Sequence, residues 1–145
     1  RLSFGTVCGY TPFDGAEYDY YTTTKGVLEK VKAHVDDVDF AVQPEILSLL
    51  SSGNFGRYAD EKGEMKVCFI SNNDITGGNS GSAMFNSKGE LLGLAFDGNW
   101  EAMGSDILYE PKMQRTIGVD VRYILFMIEK YGKAGNLIQE LNILN

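Results

Sequence analysis

The tightest constraint on the fold lies between positions 65 and 96. Residues 65–71 (MKVCFIS) read as a strand, and they lead into a loop at 72–80 dense in glycine and asparagine. Two short strands follow at 82–85 and 91–96, around the turn Asn86-Ser87-Lys88-Gly89. Seventeen glycines against three prolines, with eight Tyr and eight Phe, suit a β-rich fold with many tight turns better than a helical bundle.

The rest of the chain extends this pattern. Residues 1–10 alternate, with Leu2, Phe4, Thr6, Cys8 and Tyr10 on one side, as far as the turn Thr11-Pro12-Phe13-Asp14-Gly15. Residues 17–24 (EYDYYTTT) repeat the alternation, and 26–32 are expected to continue the sheet after a turn. The polar, acidic stretch 33–42 reads as a surface excursion, and Pro44 opens a short helix through Leu50 that Gly53 ends. Residues 116–119 give one more strand. Asp120 then caps a helix in which Val121, Ile124, Leu125 and Ile128 keep helical spacing up to Gly132, and a second helix is expected over 136–144. The result is six or seven antiparallel strands followed by terminal helices, in one domain over 1–145.

Composition narrows the function. The net charge of −7, without a Lys/Arg cluster, argues against a nucleic-acid partner, whose affinity comes first from neutralised phosphates. No apolar run reaches the roughly 18 residues of a membrane span, and the first residues lack a signal-peptide pattern. Cys8 and Cys68 stand far apart and His34 is the only histidine, so neither zinc nor another metal or cofactor is expected. The two cysteines either bridge across adjacent strands or are small buried thiols; the spacing leaves both open.

The loop 73–82 (NDITGGNSGS) places a serine on a glycine-flanked turn between strands. A phosphate cradle needs a lysine and a following helix, and this loop has neither. A nucleophile elbow needs G-x-S-x-G between a strand and a helix, whereas here Ser82 takes the second glycine's place and a strand follows. A serine-protease turn fits: a glycine two residues before the nucleophile lets the Gly78 and Ser80 amides aim at one oxyanion. A plain glycine-rich hairpin turn with an exposed serine fits the same five residues.

The surrounding residues separate these readings. NDITGGNSGS, GELLGLAFDGNWEAM and QRTIGVDVRYILFMIEKYG, with FGTVCGYTPFDGAEYDYYTTTKGVLEK and FGRYADEKGEM upstream, closely resemble the C-terminal part of the bacterial dipeptidyl-peptidase 7 and dipeptidyl-peptidase 11 family of serine peptidases. The resemblance implies a chymotrypsin-like double β-barrel with a helical domain inserted before this segment, which would form most of the second barrel. It implies that Ser80 is the nucleophile, that Gly78 and Ser80 supply the oxyanion amides, and that Asp97 holds the substrate's α-ammonium. Strand 94–98, with Phe96, Asp97 and Gly98, is then expected to receive the substrate as an added antiparallel strand. Members that prefer an acidic residue before the cut resemble this chain but carry Arg where Gly98 stands. The glycine therefore implies an open, uncharged pocket for hydrophobic or aromatic residues, as in the dipeptidyl-peptidase 7 type. Asp74, six residues before Ser80, is where a trypsin-like enzyme selects Lys or Arg, but Asn-Asp-Ile-Thr is the family's usual sequence there, so a loop hydrogen-bonding role is expected instead.

A serine needs a base, and His34 lies in the polar stretch expected to face solvent. The resemblance places the catalytic His and Asp in the first barrel, so these residues alone are expected to be inactive. The expected partners are peptides with a free N-terminus, the first barrel and helical domain of the same polypeptide, and a second copy in a homodimer through uncovered apolar surface. The resemblance implies a periplasmic or cell-surface location in a Gram-negative bacterium. Two other readings remain: a module that holds peptide N-termini without cutting, and a chymotrypsin-like endopeptidase.

Overall fold

The computed structural model describes residues 2–105 and 107–144. They gather into two compact units, Arg1–Thr22 with Val67–Val121, and Thr23–Lys66 with Arg122–Asn145.

The first unit carries a five-stranded sheet, against the six or seven strands expected. Its strands are β1 (Tyr21–Thr23), β2 (Lys66–Ser71), β3 (Ala83–Phe85), β4 (Leu91–Gly98) and β5 (Thr116–Asp120), in the order β1-β2-β5-β4-β3. The antiparallel register sets Phe69 opposite Gly118 on one side of β5, and Ala95 opposite Gly118 on the other. Two glycines are required here by close approach. A Cβ on Gly118 would lie 2.7 Å from Met84 Sδ and 2.9 Å from Phe69 Cζ, and one on Gly93 only 2.0 Å from the Val119 carbonyl. Between Ala95 and Asp97 the register slips by one, which leaves Phe96 as a bulge residue.

The N-terminal alternation yields single bridges, Val7 to Ser71 and Tyr10 to Tyr18, in place of a continuous strand. Leu2 and Phe4 are almost fully exposed, whereas Cys8 and Tyr10 farther along the same side are half-buried. Side chains pin this segment instead: the Asn72 carboxamide oxygen accepts from the Thr6 amide at 2.6 Å, and Ser3 Oγ donates to the Asp74 carbonyl at 2.6 Å.

The second unit is helical. Residues 26–32, expected as strand, lie inside α1 (Thr24–Ala33). Thr24, Leu28 and Val31 recur at i, i+4 and i+7, a helical face that the β-branched composition conceals. Lys30 and Lys32 in its last turn complement the helix dipole. The helix α2 (Pro44–Ser51) begins at the proline as expected, and Gly53 follows it at φ +65°. Directly after β5 comes α3 (Val121–Phe126), which continues as a π-helical turn over Met127–Tyr131 up to Gly132. The final helix α4 (Gly135–Gln139) is shorter than the expected 136–144. The interior of this unit is Leu50, Phe55, Tyr58, Met65, Leu125, Phe126 and Ile138. Phe55 and Tyr58 meet the Phe126 ring edge-on at 5.7 and 6.0 Å.

Candidate active site on the Gly78–Ser80 loop

The loop after β2 is tied down at its start. Asn72 exchanges backbone and side-chain hydrogen bonds with Thr6, and its carbonyl accepts from the Tyr109 hydroxyl. The Asn73 carbonyl accepts from Thr116 Oγ1 at 2.8 Å. Burial first, and the Asp74 carboxylate second, push the Tyr109 phenol up, so it stays a neutral donor near neutral pH.

Further on, the turn is shaped by asparagine and glycine. The Asn79 side chain accepts from the Thr76 amide at 3.0 Å, the Asn79 amide donates to the Thr76 carbonyl at 3.2 Å, and the Ser82 amide donates to the Asn79 carbonyl at 2.9 Å. Gly78 and Gly81 sit at φ +97° and +87°, which a side-chain-bearing residue adopts only with strain. The loop then joins β4 through two rungs, from the Gly81 amide to the Ala95 carbonyl at 2.7 Å and from the Ala95 amide to the Ser82 carbonyl at 2.9 Å. Among the described residues the Gly78 and Ser80 amides have no hydrogen-bond partner.

Ser80 is exposed, and its hydroxyl donates to the Phe96 carbonyl at 3.2 Å. That is long for an O–H···O bond, whose usual distance is about 2.7–2.8 Å, so the hydroxyl is held in place but easily released. The carbonyl that accepts this bond belongs to the bulge residue, where the β4–β5 register slips. β3 pairs with β4 only as far as Leu94, and the loop rungs stop at Ala95. On that side Phe96, Asp97 and Gly98 have no strand partner among the described residues. Asp97 is exposed, and its Oδ1 accepts from the Gly98 amide at 2.8 Å. A Cβ on Gly98 would meet the Ala102 Cβ at 3.0 Å, a tight fit that only a shift of Ala102 relieves.

The structure therefore brings Ser80, Gly78, Phe96, Asp97 and Gly98 into one region. His34 stands apart from them in sequence and unit: it is exposed in the second unit, its ring stacked on Phe40 at 4.2 Å. Cys8 and Cys68 are both free thiols, and burial pushes the Cys68 thiol up.

Beneath the strand end lies a polar cluster that the sequence did not single out. Arg115 is buried, and its guanidinium donates to the carbonyls of Cys8 (3.3 Å), Gly9 (2.8 Å), Pro111 (2.9 Å) and Gln114 (2.8 Å) while lying 5.3 Å from the Tyr10 ring centre. The Tyr10 hydroxyl donates to Glu101 at 3.0 Å, and burial is the main cause that raises its pKa. Asn99 links Glu101 to Arg115, the residue before β5. The local sequence signal available for it is an asparagine directly after a strand-ending Asp-Gly, a residue type that bonds nearby backbone.

This chain belongs to the Peptidase S46 family, which it matches over residues 1–143. It is 59% identical over 143 residues to dipeptidyl-peptidase 7 of Porphyromonas endodontalis, covering 99% of this chain and 17% of that protein. It is 58% identical over 144 residues to dipeptidyl-peptidase 7 of Porphyromonas gingivalis, covering 99% of this chain and 20% of that one. In three dimensions it matches a crystal structure of Porphyromonas endodontalis DPP11 in complex with the dipeptide Arg-Glu, with TM-score 0.89 and 42% identity over 95% of this chain and 20% of that chain. The chain thus spans about a fifth of the length of these relatives.

Proposed function

We propose that these residues form the nucleophile-bearing part of a serine-type dipeptidyl aminopeptidase, which releases dipeptides from free peptide N-termini. The observation that carries the reading is the exposed Ser80 hydroxyl, held loosely on the Phe96 carbonyl beside two unpartnered amides, in a chain of the S46 family. Ser80 Oγ attacks the scissile carbonyl, and its proton passes to an imidazole supplied by polypeptide outside these 145 residues. The Gly78 and Ser80 amides receive the developing oxyanion, where each donor contributes about two to three powers of ten in turnover. Collapse expels the new amine and leaves an acyl-enzyme that water hydrolyses.

Dipeptide length is set from the other end. Asp97 pairs with the substrate's α-ammonium, and two extended residues span roughly 7 Å from that group to the scissile carbonyl. The unpaired edge of Phe96, Asp97 and Gly98 receives the peptide as an added strand. Gly98 places no charge beside the residue before the cut, so hydrophobic or aromatic side chains are preferred there. The exposed Leu2, Phe4, Trp100, Met103, Ile107 and Leu108 are apolar surface for the remainder of the same polypeptide to cover.

The test uses the full-length protein on paired peptides with free and acetylated N-termini, with products identified by mass spectrometry. Release of dipeptides from the free peptides alone is expected, with none from the isolated 145 residues. Cleavage of the acetylated peptides at comparable rates would make the enzyme an endopeptidase and overturn the role of Asp97. Binding without cleavage would overturn the enzymatic reading.

A further inference from the structure

The end of β4 is closed in an unusual way. In an antiparallel ladder, a hydrogen-bonded pair exchanges two backbone bonds. Asn99 and Arg115 stand where the next such pair would fall, one step beyond the Gly98–Thr116 pairing. The Asn99 amide donates to the Arg115 carbonyl at 2.9 Å, but the Arg115 amide donates to the Asn99 side-chain oxygen at 2.8 Å instead of its backbone carbonyl. Freed from the ladder, the backbone turns at once into the 3-10 segment Trp100–Gly104.

The same carboxamide uses both of its donors. Nδ2 donates to Glu101 Oε2 at 2.8 Å and to the Met113 carbonyl at 2.8 Å. Asn99 therefore fastens the end of β4 to the segment that leads into β5, through Arg115 and Met113, and to Glu101 in the following turn. No other residue type with this reach offers two donors and an acceptor except its longer homologue glutamine.

We infer that Asn99 is a positioning residue for the substrate's amino terminus. The inference rests on the function proposed above. Asn99 touches no substrate itself. It acts through Asp97 and Gly98, which pair with Ile117 and Thr116 on one side only, between the Phe96 bulge and the Asn99 clamp. A carboxylate that measures distance to the scissile bond must be held to about 0.5 Å, and the clamp supplies that restraint. Glu101 is held by both Asn99 and Tyr10, and the Arg115 amide is bound to Asn99 Oδ1, so the clamp is itself fixed in place.

The experiment compares wild type, Asn99→Ala and Asn99→Asp in the full-length protein. It follows dipeptide release from free-amine peptides alongside labelling of Ser80 by a fluorophosphonate, which needs no amino-terminus contact. For Asn99→Ala, KM is expected to rise about tenfold or more while kcat and the labelling rate change by less than about threefold, the signature of lost binding. Asn99→Asp keeps the acceptor for the Arg115 amide but sets a carboxylate oxygen against Glu101 and the Met113 carbonyl, so its KM is expected to rise as well; it also carries the test if the alanine variant does not fold. An unchanged KM, or kcat and labelling falling in step with KM in both variants, would overturn the inference and leave Asn99 a structural strand terminator. Wild-type protein that fails to label at Ser80 would instead overturn the proposed function, and the inference with it.

Discussion

In the helical unit the buried side chains are Leu50, Phe55, Tyr58, Met65, Leu125, Phe126 and Ile138, with Thr24 the buried polar one. In the sheet unit they are Ser71, Gln114, Arg115, Thr116 and Asp120, beside Phe69 and Ala95. Apolar packing, which is non-directional, holds the first group. Directional hydrogen bonds hold much of the second, from Arg115 to four carbonyls, Thr116 to Asn73 and Asn99 to three partners. The proposed site sits on the hydrogen-bonded unit. The contrast is physically sensible: hydrogen bonds fix backbone direction at a loop and strand end, whereas packing tolerates small shifts of side chains that fill volume.

Substitutions in the two units should therefore fail in different ways. The largest effect on stability is expected from Phe126→Ala, which empties the centre of the aromatic cluster and should cost about 3–5 kcal/mol in denaturant titration. Activity per folded molecule should change little. Next is Arg115→Met, which leaves four carbonyls without their charged donor; it should cost about 2–3 kcal/mol and lower kcat/KM for dipeptide release even in the folded fraction. If Arg115→Met lowered stability without touching activity, the polar network would be packing by other means and the contrast between the units would lose its meaning.

Two smaller effects are expected, one in each unit. The Ser71 hydroxyl is buried with no hydrogen-bond partner among the described residues, so Ser71→Ala should be neutral or stabilise by up to about 1 kcal/mol in thermal melts. A clear loss would reveal a polar contact at that position. In the helical unit, Glu129 accepts first from the Tyr58 hydroxyl and then from Lys130, which hold its carboxyl below the usual glutamate range. A carboxyl whose pKa is depressed on folding contributes stability that is fully present above its unfolded value of about 4.3 and is lost as pH falls through the folded value. The stability gap between wild type and Glu129→Gln should be constant from about pH 6 to 8 and shrink below about pH 4. A gap that widened on acidification would reverse the sign of that coupling.

The elements most legible in the sequence were those defined by short-range signals. Pro44 with Gly53 bounded α2, and the apolar runs in β2, β4 and β5 fell within two residues of the observed strands. The helix α1 was hidden because Thr24, Val27 and Val31 favour strands locally, while the 3.6-residue spacing of its inner face decided the outcome. The N-terminal alternation is β-like, but side chains far along the chain fix it in place of a ladder: Arg115 reaches the Cys8 and Gly9 carbonyls across 107 and 106 positions of sequence. The same reason conceals half of the candidate site. Gly78, Ser80 and the Asp97-Gly98 pair announce themselves in local sequence. Asn99, Glu101, Tyr10 and Arg115 acquire meaning only when the fold brings residues 10, 99, 101 and 115 together.

The role of Ser80 is tested by fluorophosphonate labelling of the full-length protein followed by peptide mapping. A single modified residue, Ser80, is expected in wild type and none in Ser80→Ala, with dipeptide release lost in the same variant. A label on another serine, or undiminished dipeptide release by Ser80→Ala, would contradict it.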